Sequence, residues 1–329
     1  MRILVTGGAG YIGSHTVVEL LEMGYEVITL DNLQKGHKEA VNGGKFIQAD
    51  LLNKQELDEV FKNNKIDAVV HFAADSLVGE SVENPNKYFK SNLIGSLNLL
   101  DAMVKHEVKK IVFSSSAAVY GEPDRIPIQE DNKTFPTNPY GETKLMFENV
   151  IKWYDNAYGI KYVSLRYFNA AGAHISGKIG EDHNPESHLI PIVLQAALGQ
   201  RPYVQIFGTD YETKDGTCVR DYIHITDLAM AHILALKRLE DSGNSAIYNL
   251  GNGEGFSVRE IIKVAEEVTG KKINTKDTPR RAGDPATLIA TSEKIQKELK
   301  WAPKYHQIKT IIETAWNWHK SHPKGFKAS

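Results

Sequence analysis

Tyr140-Gly141-Glu142-Thr143-Lys144 sets a phenol and an ammonium four residues apart, on one face of a helix that Pro139 opens. A free tyrosine ionises near pH 10, about three units too high for a general base at neutrality, and a neighbouring cation lowers it. Taken alone, such a pair usually marks a solvated helix face. What gives it weight is Ser114-Ser115-Ser116 just upstream, ending a β-branched run. Hydroxyls in an apolar strand are costly to bury unless each is bonded. Ser116 suits holding a substrate hydroxyl and sharing its proton with Tyr140, while Ser115 reads more simply as capping the strand end.

A second constellation, Thr6-Gly7-Gly8-Ala9-Gly10-Tyr11-Ile12-Gly13, follows the first strand-like run and opens a helical one, as a dinucleotide-binding turn does. Gly7 permits the tight turn, Gly10 lets the backbone approach a pyrophosphate, and Gly13 lets helix and strand pack closely. The helix N-terminus attracts the anion. Asp31 ends the next strand, where a carboxylate accepts the adenosine ribose hydroxyls and repels a 2′-phosphate, so NAD is expected over NADP. Lys35 and Lys38 keep NADP in play but read more simply as solvated loop lysines. Asp50-Leu51 and Phe72-Ala73-Ala74 follow the third and fourth strands, at the edge where open sheets bind ligands.

Positioning these groups requires strands that all end on one side. Strand-like runs at 3–6, 26–30, 46–49, 68–72, 111–114 and 162–168 alternate with helical stripes, among them one that Asn53 caps, one at 86–106 and one at 140–158. That alternation predicts an α/β fold with a doubly wound parallel sheet. The domain expectation is an NAD-binding Rossmann unit at 1–170, rejoined by about 219–250, with 171–329 forming a smaller α+β unit for the substrate. In that second part we expect helices near 189–198, 226–239 and 308–318, strands at 203–207 and 246–250, and a capping box from Ser257 to Glu260.

The 329 residues are enough for about two domains. Lys plus Arg (39) nearly balances Asp plus Glu (41), giving net charge −2, so there is no general field to hold nucleic acid or an acidic membrane. An anionic ligand must be bound locally. Cys218 is the only cysteine, which excludes an intrachain disulfide and a Cys-rich zinc site. No metal is expected. Apolar periodicity starts at Ile3 and no run is long enough to span a bilayer, so the expected location is cytoplasmic.

In order along the chain, strand–Gly-x-x-Gly-x-x-Gly, serine and Tyr-x-x-x-Lys resemble the extended short-chain dehydrogenase/reductase family. The likeness, closest to its sugar-nucleotide C4-epimerising members, runs from Arg2 to about Phe326 through Asp31-Asn32-Leu33, Ser114 to Gly121, Arg166 to Asn169, Gly180-Glu181-Asp182, Cys218 to His224 and Arg280 to Asp284. It implies reversible oxidation and reduction at C4, interconverting UDP-galactose and UDP-glucose in galactose metabolism. NAD would stay bound, Tyr140 would act as base, Ser116 would hold the hydroxyl, and Lys144 would tune the phenol and bind the nicotinamide ribose. Implied NAD contacts are the loop glycines with Tyr11 and Ile12, then Asp31, Asn32, Leu33, Lys35, Gly36, Asp50, Leu51, Phe72, Ala73, Ala74, Asn92, Ser114 and Phe168. For the UDP-sugar they are Asn169, His188, Leu189, Phe207, Arg220, Arg281, Asp284 and Leu288 beside Ser116 and Tyr140. Two arginines suit a diphosphate.

Some positions depart from the family pattern. Ala74-Asp75-Ser76 stands where many members carry a lysine, Ala118 where a threonine is common, and Ser187-His188-Leu189 where Asn-Asn-Leu is usual. Leu288 aligns with an aromatic residue that can close the sugar pocket, and the smaller side chain leaves room for an N-acetylated sugar. A 4,6-dehydratase begins with the same oxidation but needs an acid and a base where this chain has Ala117 and Ala118. A non-catalytic NAD-sensing regulator would not need Ser116, Tyr140 and Lys144 together. The resemblance also implies a homodimer through 86–106 and 140–158, with Leu93, Leu97, Met146, Val150 and Trp153 facing outward.

Overall fold

The structure, a computed structural model, describes residues 1–281 and 284–326. Ala282 and Gly283 of the arginine-bearing segment, and 327–329 at the end of the expected second unit, lie outside the described residues. In chain order, β1 (Arg2–Thr6), β2 (Glu26–Asp31), β3 (Lys45–Gln48), β4 (Ala68–His71), β5 (Lys110–Ser114) and β6 (Lys161–Tyr167) enter the large sheet. Next, β7 (Asn169–Ala171), β8 (Val204–Phe207) and β9 (Val219–His224) leave it, and β10 (Ala246–Leu250) rejoins it beside β6. Beyond lie β11 (Gly255–Ser257), β12 (Thr275–Thr278) and β13 (Thr287–Leu288).

The large sheet reads β3-β2-β1-β4-β5-β6-β10, and every neighbouring pair is parallel. The chain therefore has the doubly wound α/β fold that the alternating pattern predicts. Successive strand residues go to opposite faces, and both faces are covered. Ile3 and Val5 pack under helices Tyr11–Glu22 and Ile225–Asp241, with Val17, Leu228 and Leu236. Leu4 goes to the other face with Leu99, Met103, Phe113 and Phe147, under helices Lys54–Lys62, Gly95–Lys105 and Pro139–Tyr158. Strand order reverses between β1 and β4, which opens a crevice at their C-terminal ends.

The remaining strands form a small sheet in which β9 pairs with β7, β11 and β13, and a two-stranded pair of β8 with β12. Helices Leu189–Ala197, Val258–Thr269 and Ile308–Ser321 share a third apolar core there around Val193, Leu194, Ile261 and Ile311. The stretch 219–250, expected to return whole to the large sheet, divides. Its first strand, β9, stays in the small sheet; the return begins with helix Ile225–Asp241. The stripe at 86–106 also differs from one continuous α-helix, because Phe89–Ile94 is a π turn between Pro85–Tyr88 and Gly95–Lys105. The wider turn puts Asn92 in the interior, where its amide exchanges bonds with the Asp75 backbone (2.8 and 3.0 Å) and reaches Thr143 Oγ1 (3.2 Å).

One buried polar network fastens the helix bearing Tyr140 to the sheet. Arg166 on β6 donates through Nε and Nη2 to the two oxygens of Glu148 and through Nη1 to the Tyr120 hydroxyl (2.8 Å). Glu148 Oε1 also accepts from Ser115 Oγ (2.6 Å), and Tyr120 donates to Asn249 on β10 (2.6 Å). All these side chains are buried. Breaking one side of such an ion pair typically costs about 3–5 kcal/mol, because it strands the other charge. Glu148→Ala should therefore lose about that much stability, read as a lower urea midpoint at unchanged slope; a loss below about 1 kcal/mol would contradict the network's role.

Candidate active site

Ser116 ends the polar run after β5 and caps the short 3-10 turn Ala117–Tyr120 by accepting from Ala118 N–H (3.1 Å). Asn138 caps the helix Pro139–Tyr158 by accepting from Gly141 N–H (2.9 Å), with Pro139 in its first turn, which fixes where Tyr140 leaves the backbone. Lys144, one turn on, is buried; it donates to Ser114 O (2.9 Å) and lies 5.8 Å from the Tyr140 ring centre. Ser116, Tyr140 and Lys144 thus converge beyond the C-terminal end of β5.

The electrostatics differ from the expected lowering of the phenol by Lys144. Burial pushes the Tyr140 phenol above its ordinary value, opposed by a hydrogen bond with Ser116. Lys144 is itself pushed down, to about 7, by burial, with Glu148 pulling the other way. In each case removal from water penalises the charged form, and this outweighs the attraction between neighbours. Burial thus favours the neutral form of both groups.

The glycine turn leaves room for a dinucleotide where side chains would clash. Gly7 has φ +71°, and a Cβ there would stand 2.5 Å from Ala73 N. At Gly13 a Cβ would meet Gly7 O at 2.2 Å, so helix and strand approach closer than any side chain allows. Helix Tyr11–Glu22 starts at Gly10 with no capping side chain and no acid in its first turn, which leaves its amide end open to an anion. Asp31 is buried and accepts from Ala9 N–H (3.0 Å) and Leu33 N–H (2.8 Å); its carboxylate retains lone pairs for a ribose diol. Burial raises its pKa, against those two bonds. The residues fit a dinucleotide.

Around this turn the expected cofactor residues take several positions. Asn32 donates to Asp50 Oδ2 (3.0 Å), closing the loops after β2 and β3 on each other, and Gly36 packs on Ala9. Leu51 is buried, with its carbonyl taken by Asn98 (2.9 Å). Phe72 and Ala73 donate their N–H groups to Thr6 O, carrying Ala74 along the crevice. Ile12 packs on the sheet core, and Ser114 Oγ bonds the Tyr167 hydroxyl. Three side chains are committed elsewhere. The Tyr11 hydroxyl donates to Gly172 O (2.6 Å), Lys35 Nζ to Asn184 O (3.1 Å), and Asn92 is saturated by Asp75 and Thr143. Asp75, standing where a lysine is common, pairs with Lys87 at 3.1 Å.

A cavity of about 440 Å³ is lined by residues of β7, helix Leu189–Ala197, β8, β9 and the loops around them. It brings together Asn169, His188, Leu189, Phe207, Arg220, Arg281 and Asp284, seven of the expected substrate residues. Arg220 pairs with Asp284, Arg281 stacks on the Phe207 ring at 3.8 Å, and Asn169 donates to Asp221 O (3.0 Å). Ser116, Tyr140 and Leu288 are not among its lining residues. Leu288 instead packs with Phe168 and Leu145 against Ala117, Val119 and Tyr120, directly after Ser116. Sequence reasoning missed Glu181, Cys218 and Tyr222, which also line the cavity, and the Glu148–Arg166 pair. The i, i+4 spacing from Lys144 was the available signal for Glu148.

Residues 3–251 match the NAD dependent epimerase/dehydratase family. The chain is similar to the UDP-glucose 4-epimerase of Halalkalibacterium halodurans, 61% identical over 99% of this chain and 98% of the relative. A crystal structure of a UDP-glucose 4-epimerase superposes with TM-score 0.98 at 53% identity, covering 100% of both chains. That of the Bifidobacterium longum UDP-glucose 4-epimerase in complex with NAD+ and UDP gives 0.94 at 42% identity, covering 99% of this chain and 100% of the other. The family match runs through every strand of the large sheet and both helices at the crevice, so the elements that build the site are the ones by which this chain belongs to the NAD dependent epimerase/dehydratase family.

Proposed function

We propose that the chain interconverts UDP-galactose and UDP-glucose by reversible C4 oxidation and reduction with tightly bound NAD. The observation that carries this reading is the convergence of Ser116, Tyr140 and Lys144 beyond the end of β5, together with a cavity that holds Arg220 and Arg281. The Gly7–Gly13 turn and Asp31 hold the dinucleotide, and Arg220 and Arg281 serve the diphosphate of the substrate. NAD, when bound, supplies the two-electron redox chemistry at C4. Tyr140 takes the proton of the 4-hydroxyl and later returns it, with Ser116 fixing that hydroxyl. Lys144, held on Ser114 O, keeps positive charge beside the phenol and binds the nicotinamide ribose. The 4-keto sugar turns between the two half-reactions, so the opposite face of C4 would be presented for reduction while O4 meets the same phenol again.

We assign 1–170 with 225–250 to cofactor binding and the remainder to the UDP-sugar. The methyl groups of Ala117 and Ala118 offer no acid or base for expelling water, which favours epimerisation over dehydration. Incubation with UDP-galactose and no added NAD should yield UDP-glucose; a 4-keto-6-deoxy sugar would assign a dehydratase, and no turnover a non-catalytic NAD sensor. Tyr140→Phe should fold and retain NAD while kcat falls by about 10²–10⁴. Near-wild-type turnover would remove Tyr140 from the mechanism.

Leu288, beside Phe168 and the Ser116 turn, supports additional activity on the UDP-N-acetylglucosamine/UDP-N-acetylgalactosamine pair. An aliphatic wall leaves space that an aromatic ring would fill. Leu288→Tyr should depress kcat/KM for the N-acetylated pair by about tenfold or more while sparing the plain sugars; equal loss of both would rule out a gate. A homodimer is supported by the outer face of the two long helical segments, where Trp153 and Ile94 are exposed and Leu93, Leu97, Met146 and Val150 half-buried. Sedimentation should give a dimer at micromolar concentration, reduced to monomer by Trp153→Glu. A wild-type monomer would reject the assembly.

A further inference from the structure

His188 immediately precedes helix Leu189–Ala197, which has no capping side chain and no acid in its first turn. Its Nδ1 lies 2.7 Å from Oε1 of Glu181 and 3.3 Å from Oε1 of Glu186, so the carboxylates engage this ring nitrogen, and the side chain lines the cavity. Glu186 Oε1 also accepts from the Ser187 and His188 N–H groups (both 2.8 Å), so the loop is wound around these carboxylates. Glu181 is itself buried and lines the cavity. A bare carboxylate there would repel a diphosphate; one paired with an imidazolium would not.

Building on the UDP-sugar reading above, we propose that Glu181 and Glu186 are positioning residues that hold His188 as an imidazolium, whose Nε2 contacts the diphosphate opposite Arg220 and Arg281. The paired charges explain the directions of both titrations. Glu181 is held below the usual carboxylate range by His188 and His183, and His188 is held above its ordinary value by Glu181 and Glu186. The ionisable groups around them are His183, whose ring lies 5.1 Å from that of His188, with Tyr11 and His319 behind, whose own titrations feel Glu181 and Glu186. Arg201, Arg220, Arg281 and Asp284 line the rest of the cavity.

The sign follows from linkage: with the carboxylates gone, burial takes the His188 pKa to its ordinary value or below, so its charge is lost by the time pH has passed neutrality. The test uses holoenzyme carrying Tyr140→Phe, so that binding is read without turnover, and UDP-glucose, whose diphosphate diester does not titrate there. Calorimetry should give the parent a Kd constant within about twofold between about pH 6 and about pH 8. Adding Glu181→Gln with Glu186→Gln should weaken binding about tenfold at the higher pH and less at the lower. In place of a double variant that fails to fold, His188→Asn should weaken binding about tenfold at both, and His188→Lys should restore it at both. In the otherwise wild-type enzyme, His188→Asn should raise KM and leave kcat within about twofold.

Flat binding by the double variant, or normal binding by His188→Asn, overturns the inference alone. A parent that binds no UDP-glucose overturns it together with the proposed function. Loss of parent binding after dialysis against EDTA, restored by zinc, would instead assign Glu181, His183, Glu186 and His188, whose ligand atoms lie within 4.8 Å of one another, to a metal ion.

Discussion

Removing the Glu148–Arg166 pair from water binds four elements of the fold to one point. Arg166 belongs to β6, Glu148 to the helix of Tyr140, Ser115 to the end of β5, and Tyr120 to the turn that follows, with Asn249 of β10 behind it. A lone guanidinium or carboxylate at this depth would be strongly unfavourable, so each must find the other, and in doing so they set the helix against the sheet. Lys144 sits one turn from Glu148 and inherits that placement, as Tyr140 does one turn earlier. The catalytic geometry is thus secured by charges that never face the crevice.

A similar logic holds where the strands of the large sheet end. Parallel strands end their loops on one side, and the reversal of order between β1 and β4 leaves a gap there. Cross-links span it: Tyr11 to Gly172, Lys35 to Asn184, and His37 to Asp182 O at 2.9 Å. These bonds join the loops of the glycine turn to the segment running from β7 to the helix at Leu189. Cofactor cradle and cavity are therefore held at a fixed distance by side chains that are drawn, in part, from the cradle itself.

This is also where sequence reading reached its limit. The large sheet was legible because each strand is a β-branched run bounded by turn residues, and Asp31, Ser116 and Tyr140 lie at element ends that such runs define. β7, β11 and β13, with two or three residues each, have no period; β9 recruits them. A hydrophobic stripe at 86–106 likewise cannot reveal the extra residue of a π turn, since apolar faces on either side stay in phase with the core. The resemblance implies that Tyr11, Lys35 and Asn92 meet the cofactor, and the protein groups that also hold their side chains, up to 161 residues away, could not be read from spacing. Spacing gives the face on which a side chain starts, not the group that captures it.

Charge follows a similar division between whole and part. With net charge −2 the molecule offers an anion no general attraction, and the cavity makes up for that locally with Arg220 and Arg281. Both arginines are held before any ligand arrives, one by Asp284 and the other by the ring of Phe207, so little side-chain freedom remains to be lost on binding. Tyr140 and Ser116 lie outside the lining of this cavity, so under the proposed function the grip is separate from the chemistry. For an epimerisation the separation matters: a substrate anchored through its nucleotide and diphosphate can stay bound while its sugar turns, whereas tight contacts around the ring would hold one face of C4 and stop the reaction at the ketone. Binding energy is placed where it is the same for both epimers, and the freedom of the sugar is preserved where they differ.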